Sequence, residues 1–277
     1  MVQDAVPLAD VQSEAVRLLE RAREANVLVR LLGGTAVGMH RHGPWPPALE
    51  RRYGDIDLVV KKGQDRGLRH LLEELGYVPN RGFNNLHGDR RLLFYDERNE
   101  RQVDVFIGTF RMCHTLELDD RLGLHPQTLT PADLLLTKLQ VVKINTKDII
   151  DAQALLLAHE VERGPGDLID LGRLVQVTSR DWGWYTTFMD NLARLMPSIV
   201  PSPSGGGQPR EVPSPSGGGQ GGGAMPLPPD AAALVGRRFA KIQVALVDAP
   251  RSLSWKARAA VGRRMAWYEL PEEIGGG

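Results

Sequence analysis

Apolar positions recur at two periods along this chain, and the change from one to the other marks its elements. Val11, Val16, Leu18, Leu19 and Ala22 fall on one face at helical spacing, predicting an amphipathic helix that ends near Asn26. Val27–Leu32 is a short apolar run bounded by Gly33-Gly34, predicting a buried strand followed by a turn, with Thr35 capping a short helix to about His40. His42–Arg52 carries three prolines and is expected to be a loop. Ile56–Val60 predicts a second strand, and Gln64–Leu75 a helix closed by Gly76. Arg91–Tyr95 and Gln102–Ile107 predict a hairpin across Asp96–Arg101. Hairpin pairing among these strands implies a mixed sheet of the α/β (α+β) class, not a doubly wound parallel one.

Beyond residue 125 the pattern turns helical. Thr130 with Pro131 forms a cap and first helical position, and Leu134, Leu135, Leu139 and Val142 predict the buried stripe, with Lys138 at its edge. Residues 198–229 are a Pro/Ser/Gly tract holding a direct repeat, Val-Pro-Ser-Pro-Ser-Gly-Gly-Gly-Gln at 200–208 and 212–220. That composition buries too little apolar surface to offset its ordering entropy, so a disordered linker is expected. Four parts follow: a core at 1–125, a helical segment at 126–197, the linker at 198–229 and a helical tail at 230–277.

Composition narrows the class. Hydrophobic residues at 42% and charged residues at 25% are those of a globular protein, and 34 basic side chains cancel 34 acidic ones, so no global field draws a polyanion. The single Cys113 excludes an internal disulfide and suits a reducing, cytoplasmic setting. No secretory signal or membrane-spanning stretch is read in the chain.

The chemistry centres on Gly54-Asp-Ile-Asp-Leu-Val-Val60. Strand alternation turns Asp55 and Asp57 to one side while Ile56, Leu58 and Val60 face the core. Two carboxylates so placed repel, and a divalent cation removes that penalty; the bland alternative is a solvated acidic strand face. Val103-Asp-Val-Phe-Ile107 is a second apolar strand with one acid, Asp104. Should it lie beside the first, three carboxylates cluster, an arrangement that holds two metal ions for displacement at phosphorus. Gly33-Gly34-Thr35 would offer backbone N–H groups to phosphates.

This combination resembles the DNA polymerase β superfamily of nucleotidyltransferases, including the antibiotic nucleotidyltransferases and AbiEii-type toxins. The pattern is an apolar strand, Gly33-Gly34, then Asp55-h-Asp57-h, then Asp104 on a neighbouring strand. The gap from Gly34 to Asp55 is longer than usual, and Gly34 stands where serine is common. Thr130-Pro-Ala-Asp-Leu-Leu-Leu-Thr-Lys138 and Asn145-Thr-Lys-Asp148-Ile-Ile-Asp151 look like the helical segment after the catalytic sheet.

The resemblance implies two Mg²⁺ ions on Asp55, Asp57 and Asp104. It also implies a nucleoside triphosphate contacted by Gly33, Gly34, Thr35 and Lys138, and Asp148 acting as a base or fixing Lys138. Arg52, beside Arg51 in the preceding loop, is a candidate for phosphate oxygens. The implied reaction moves a nucleoside monophosphate to an acceptor hydroxyl, releasing pyrophosphate. An antibiotic-like small molecule, a tRNA or a protein is each compatible as acceptor. A silent nucleotide-binding relative, such as a toxin–antitoxin component, and a metal-dependent phosphohydrolase are the alternatives.

Three further groups carry less. His40 and His42 sit at a helix end with no third metal ligand following, and Cys113-His114 lacks the third group of a nucleophilic dyad. The tail mixes Trp255, Arg258, Arg263, Arg264 and Trp267. It suits either nucleic-acid stacking or docking through Val261, Met265 and Tyr268.

Overall fold

The computed structural model describes residues 6–195 and 226–270; the expected linker lies outside them except for its last four residues. Helix α1 (Val11–Glu24) buries Ala15, Leu18 and Ala22 as its spacing requires, and Asp10 caps it by accepting from the Ser13 N–H. Strand β1 (Val29–Leu32) leads directly into α2 (Gly33–Met39), with β2 (Ile56–Val60) following the proline-rich loop. Next come α3 (Asp65–Glu74), β3 (Val78–Pro79), α4 (Arg81–His87), β4 (Arg91–Asp96) and β5 (Arg101–Ile107).

These strands form one mixed sheet in the order β1-β2-β5-β4-β3. Only the β2–β5 pair is parallel; β1–β2, β4–β5 and β3–β4 are antiparallel. The hairpin β4–β5 closes with Asp96 opposite Arg101, as the alternating pattern predicts. The sequence reading misses α4 and β3, which are too short to show a period. It also misplaces the start of α2. The helix begins at Gly33, and Thr35, inside its first turn, donates its hydroxyl to the Asp55 main-chain oxygen 2.7 Å away instead of capping.

A small ribbon follows, β6 (Thr109–Arg111) with β7 (Thr115–Glu117), then α5 (Pro131–Leu139) and α6 (Thr146–Ala158). Thr130 caps α5 with Pro131 at its first position, as predicted. All nine residues of α5 are buried, Lys138 included, so the expected one-sided stripe is a helix enclosed all round. Residues 127–129 bond along the free edge of β1, through Leu31 N–H to Gln127 O and Leu129 N–H to Leu31 O. That pairing covers an edge that would otherwise expose unpaired backbone groups.

The remaining elements are the short parallel ladder β8 (Val161–Glu162) and β9 (Ile169–Asp170), then α7 (Leu171–Thr178), α8 (Trp182–Arg194), α9 (Pro229–Val247) and α10 (Leu253–Val261). Helix α9 packs on α6 and α7 through Val235, Ile242 and Leu246, which are wholly buried. The tail therefore docks, but by α9 and by Trp255 and Trp267. Of the positions expected to dock, Tyr268 is half-buried, while Val261 is partly and Met265 largely in solvent. No described helix is long and apolar enough to cross a membrane.

Candidate active site

Parallel pairing of β2 with β5 sets Asp57 directly beside Asp104. Both strands are apolar on either side of these acids: Ile56, Leu58, Val103 and Val105 are fully buried. The two charges are therefore held against one another in a region with little water. Among the described residues, the Asp57 carboxylate receives no hydrogen bond and meets no cation in an ion pair. Its pKa is pushed up to about 7 by burial, then by the Asp104 charge and less by Asp55, while Lys138 and Arg91 offset part of the rise.

Asp104 is placed differently. It is nearly buried, and Arg91 on β4 binds both of its oxygens, Nε to Oδ1 and Nη2 to Oδ2, at 2.6 Å each. Gln102 adds a donor to Oδ2 at 3.2 Å. The bidentate guanidinium pairs the buried carboxylate through two parallel hydrogen bonds. Arg91 was not singled out in the sequence, because its reach to Asp104 depends on the antiparallel register that sets Leu93 opposite Asp104. Asp55, one residue before β2, is exposed.

Gly33 faces these acids. Its φ of +72° lies in the left-handed region, and a Cβ there would stand 1.8 Å from Asp57 Oδ2. A Cβ on Gly34 would meet Arg51 Nη2 at 2.1 Å. The glycine pair thus lets two functional side chains lie against the backbone where strand becomes helix. The Thr35 hydroxyl is committed to the Asp55 carbonyl and buried, so it fixes the approach to β2 without lining the surface.

Behind Gly34 lies a charge-balanced group. Arg51 binds Asp151 through Nε to Oδ1 at 2.7 Å and Nη2 to Oδ2 at 2.6 Å. Lys138 Nζ is 2.8 Å from Asp151 Oδ2 and 3.0 Å from Asp148 Oδ1. Burial works against the Lys138 ammonium, but Asp151 and then Asp148 outweigh it and hold its pKa above the ordinary value. Asp148 is thus one of the two acceptors of the Lys138 ammonium. Asp151, three residues along the same helix face, was quoted in the sequence motif without a role and is the fully buried centre of the group. In the loop pair it is Arg51 that turns inward; Arg52 is exposed at the rim of a cavity lined by Arg41, Trp45 and Tyr53.

The donor set suits a hard divalent cation. Asp55 and Asp57 are uncommitted oxygen ligands, the raised Asp57 pKa marks a repulsion that a cation would relieve, and Asp104 keeps lone pairs beyond those Arg91 uses. Three carboxylate charges less one guanidinium leave two negative charges, which a single Mg²⁺ balances.

No protein-family model matches the chain, and no curated protein matches it. Solved structures that resemble it include an antibiotic adenylyltransferase, an antibiotic-resistance factor and a nucleotidyltransferase-like protein. The lincosamide antibiotic adenylyltransferase LnuA, bound to lincomycin, is 15% identical with a TM-score of 0.39, over 52% of this chain and 94% of that one. The antibiotic-resistance factor ANT(2'')-Ia is 16% identical with a TM-score of 0.37, over 53% and 84%. An antigenic nucleotidyltransferase-like protein from Paracoccidioides brasiliensis is 15% identical with a TM-score of 0.40, over 69% and 89%.

Proposed function

We propose that this chain is a magnesium-dependent nucleotidyltransferase that moves a nucleoside monophosphate from a nucleoside triphosphate to an acceptor hydroxyl. The observation that carries the reading is the in-register placement of Asp57 and Asp104 on adjacent parallel strands, with Gly33 at positive φ letting the Asp57 carboxylate lie against the backbone.

Asp55, Asp57 and Asp104 would hold Mg²⁺, which when bound supplies charge neutralisation at the phosphates and orientation of the reacting oxygens. The charge balance fits one ion held by the protein, with the second expected ion entering with the triphosphate. Gly33 and Gly34 would bring the phosphates to the Asp57 and Arg51 side chains that lie against them at the start of α2. Lys138, held by Asp148 and Asp151, and Arg51, held by Asp151, would offer N–H donors to the phosphates, with Arg52 at the rim.

The acceptor oxygen forms a bond to the α-phosphorus as the bond to the bridging oxygen of the β-phosphate breaks, and pyrophosphate leaves. The acceptor's proton passes to Asp104.

The test is pyrophosphate release from each common nucleoside triphosphate in Mg²⁺ with a cell extract as the source of acceptor, following label into RNA, protein or small molecules. Label transfer with pyrophosphate release supports the reading. Release of inorganic phosphate from the γ position without label transfer would replace it with a phosphohydrolase.

A further inference from the structure

The fold gathers four histidines and an aspartate at the far end of α2, from parts of the chain more than a hundred residues apart. His40 caps the C-terminus of α2 and His42 follows it; His125 precedes the edge segment beside β1. His159 caps the C-terminus of α6, and the β8–β9 ladder brings Asp167 back to its level. The ring centroids of His40 lie 5.1 Å from His125 and 4.8 Å from His159, and those of His42 and His159 lie 5.6 Å apart.

The distances to Asp167 are not those of hydrogen bonds. Its Oδ1 is 3.6 Å from His40 Nδ1 and 3.5 Å from His159 Nδ1, and its Oδ2 is 3.6 Å from His42 Nε2. Direct N–H···O bonds are shorter, at about 2.7–3.2 Å. Donors each ~2.1 Å from a tetrahedral ion stand roughly 3.4 Å from one another, close to the 3.6 Å that separates His40 Nδ1 and His42 Nε2 from the Asp167 oxygens. His40, His159 and Asp167 each offer a ligand atom within 4.8 Å of the others'.

Proton accounting points the same way. The Thr128 hydroxyl has one proton, and Leu129 O, which can only accept, lies 2.7 Å from it. Toward His40 Nε2, at 2.8 Å, Thr128 therefore accepts, so Nε2 carries the ring proton and Nδ1 presents a lone pair to the Asp167 carboxylate. Two acceptors then face each other with nothing between them. The buried His159 ring has its Nδ1 3.2 Å from the Asp167 main-chain oxygen, and its Nε2 meets no partner among the described residues.

We propose that His40, His159 and Asp167, completed by His42, form a zinc-class divalent cation site that ties the end of α2 and the end of α6 to the β8–β9 turn. Imidazole nitrogens with one carboxylate suit Zn²⁺ and not Mg²⁺, which prefers oxygen. Thr128 is the partner that fixes the tautomer of a ligating histidine. Exposed His42 and Asp167 form the solvent side, giving the ion a way in. The site is separate from the aspartates on β2 and β5, which lie at the opposite end of α2.

The test is the zinc content of the full chain grown with added zinc, together with competition against a chromophoric chelator and visible absorption after Co²⁺ substitution. The variants are His159→Gln, Asp167→Asn and Thr128→Val. About one zinc per chain, with tetrahedral Co²⁺ bands and no thiolate charge-transfer band, is expected in the natural protein and equally in Asp57→Asn. Asp167→Asn and His159→Gln should lose the ion, and Thr128→Val should weaken it by about 10–100-fold. Should His159→Gln not fold, Asp167→Asn on the exposed turn decides the matter. Zinc affinity unchanged in Asp167→Asn, a cobalt–thiolate band from Cys113, or no zinc retained against the chelator would each overturn the proposal.

Discussion

Arg91 holds both oxygens of Asp104 at 2.6 Å, one strand away from an Asp57 carboxylate that has no such partner among the described residues. The two acids of one site are thus kept in opposite electrostatic conditions. Replacing Arg91 with methionine should leave a buried carboxylate uncompensated and cost roughly 3–5 kcal/mol in metal-free solution. Millimolar Mg²⁺ should recover part of that loss. Urea unfolding with and without Mg²⁺ measures both; equal loss in the two conditions would mean that Arg91 has no link to cation binding.

Gly33 should tolerate no side chain. Alanine at this position would be forced into the left-handed region at a cost of about 1–3 kcal/mol, and its Cβ would displace the Asp57 carboxylate. Gly33→Ala should therefore lose activity more steeply than stability. Gly43, whose φ is +99° but where a Cβ meets nothing, is the control: Gly43→Ala should show the backbone cost without the loss of activity.

Asp151 carries Arg51 and Lys138 together. Asp151→Asn should destabilise the fold by about 3–5 kcal/mol, because buried Lys138 and half-buried Arg51 lose their shared counter-charge. Asp148→Asn removes only one of Lys138's two partners and should be milder in stability, while raising KM for the triphosphate. Chemical denaturation and steady-state kinetics on the same pair of variants separate the two effects.

The pH dependence of stability has a readable contributor in His114. Its ring lies against Trp184, with Nε2 2.8 Å from Thr187 Oγ1, and burial pushes its pKa from 6.5 down to about 4, Asp181 and Glu269 offsetting only part. Between those values the unfolded chain binds the proton more readily than the folded one. Stability is therefore full above pH 6.5 and falls as pH drops toward 4, by up to about 3 kcal/mol. His114→Gln should flatten that slope across pH 4–6.5; a slope identical to the natural protein's would count against the buried neutral ring.

The strands bearing Asp57 and Asp104 were legible because period-two alternation of apolar residues isolates the acids. The start of α2 was not, since nothing in Gly33-Gly34-Thr35 says that the Thr35 hydroxyl is bound to the Asp55 carbonyl instead of capping the helix. Lys138 was placed at a helix edge because nothing local shows that α5 is covered on every side. Arg91 and Asp151 were missed for one reason: their partners, Asp104 and Arg51, are set by strand register and helix packing. His159 and Asp167 likewise become neighbours of His40 only once α6 and the β8–β9 ladder fold back on α2.

The central claim is transfer of a nucleotide by the site on β2 and β5. Its most direct measurement is pyrophosphate release from labelled nucleoside triphosphates in Mg²⁺ and cell extract, comparing the natural chain with Asp57→Asn and Asp104→Asn. Each variant must bind the nucleotide with an affinity within about tenfold of the natural chain's. Pyrophosphate release and label transfer are expected of the natural chain, with loss of at least about 1,000-fold in either variant, as removal of charge stabilisation at a reacting phosphate requires. Nucleotide binding without turnover in the natural chain, or turnover surviving in Asp57→Asn, would contradict it.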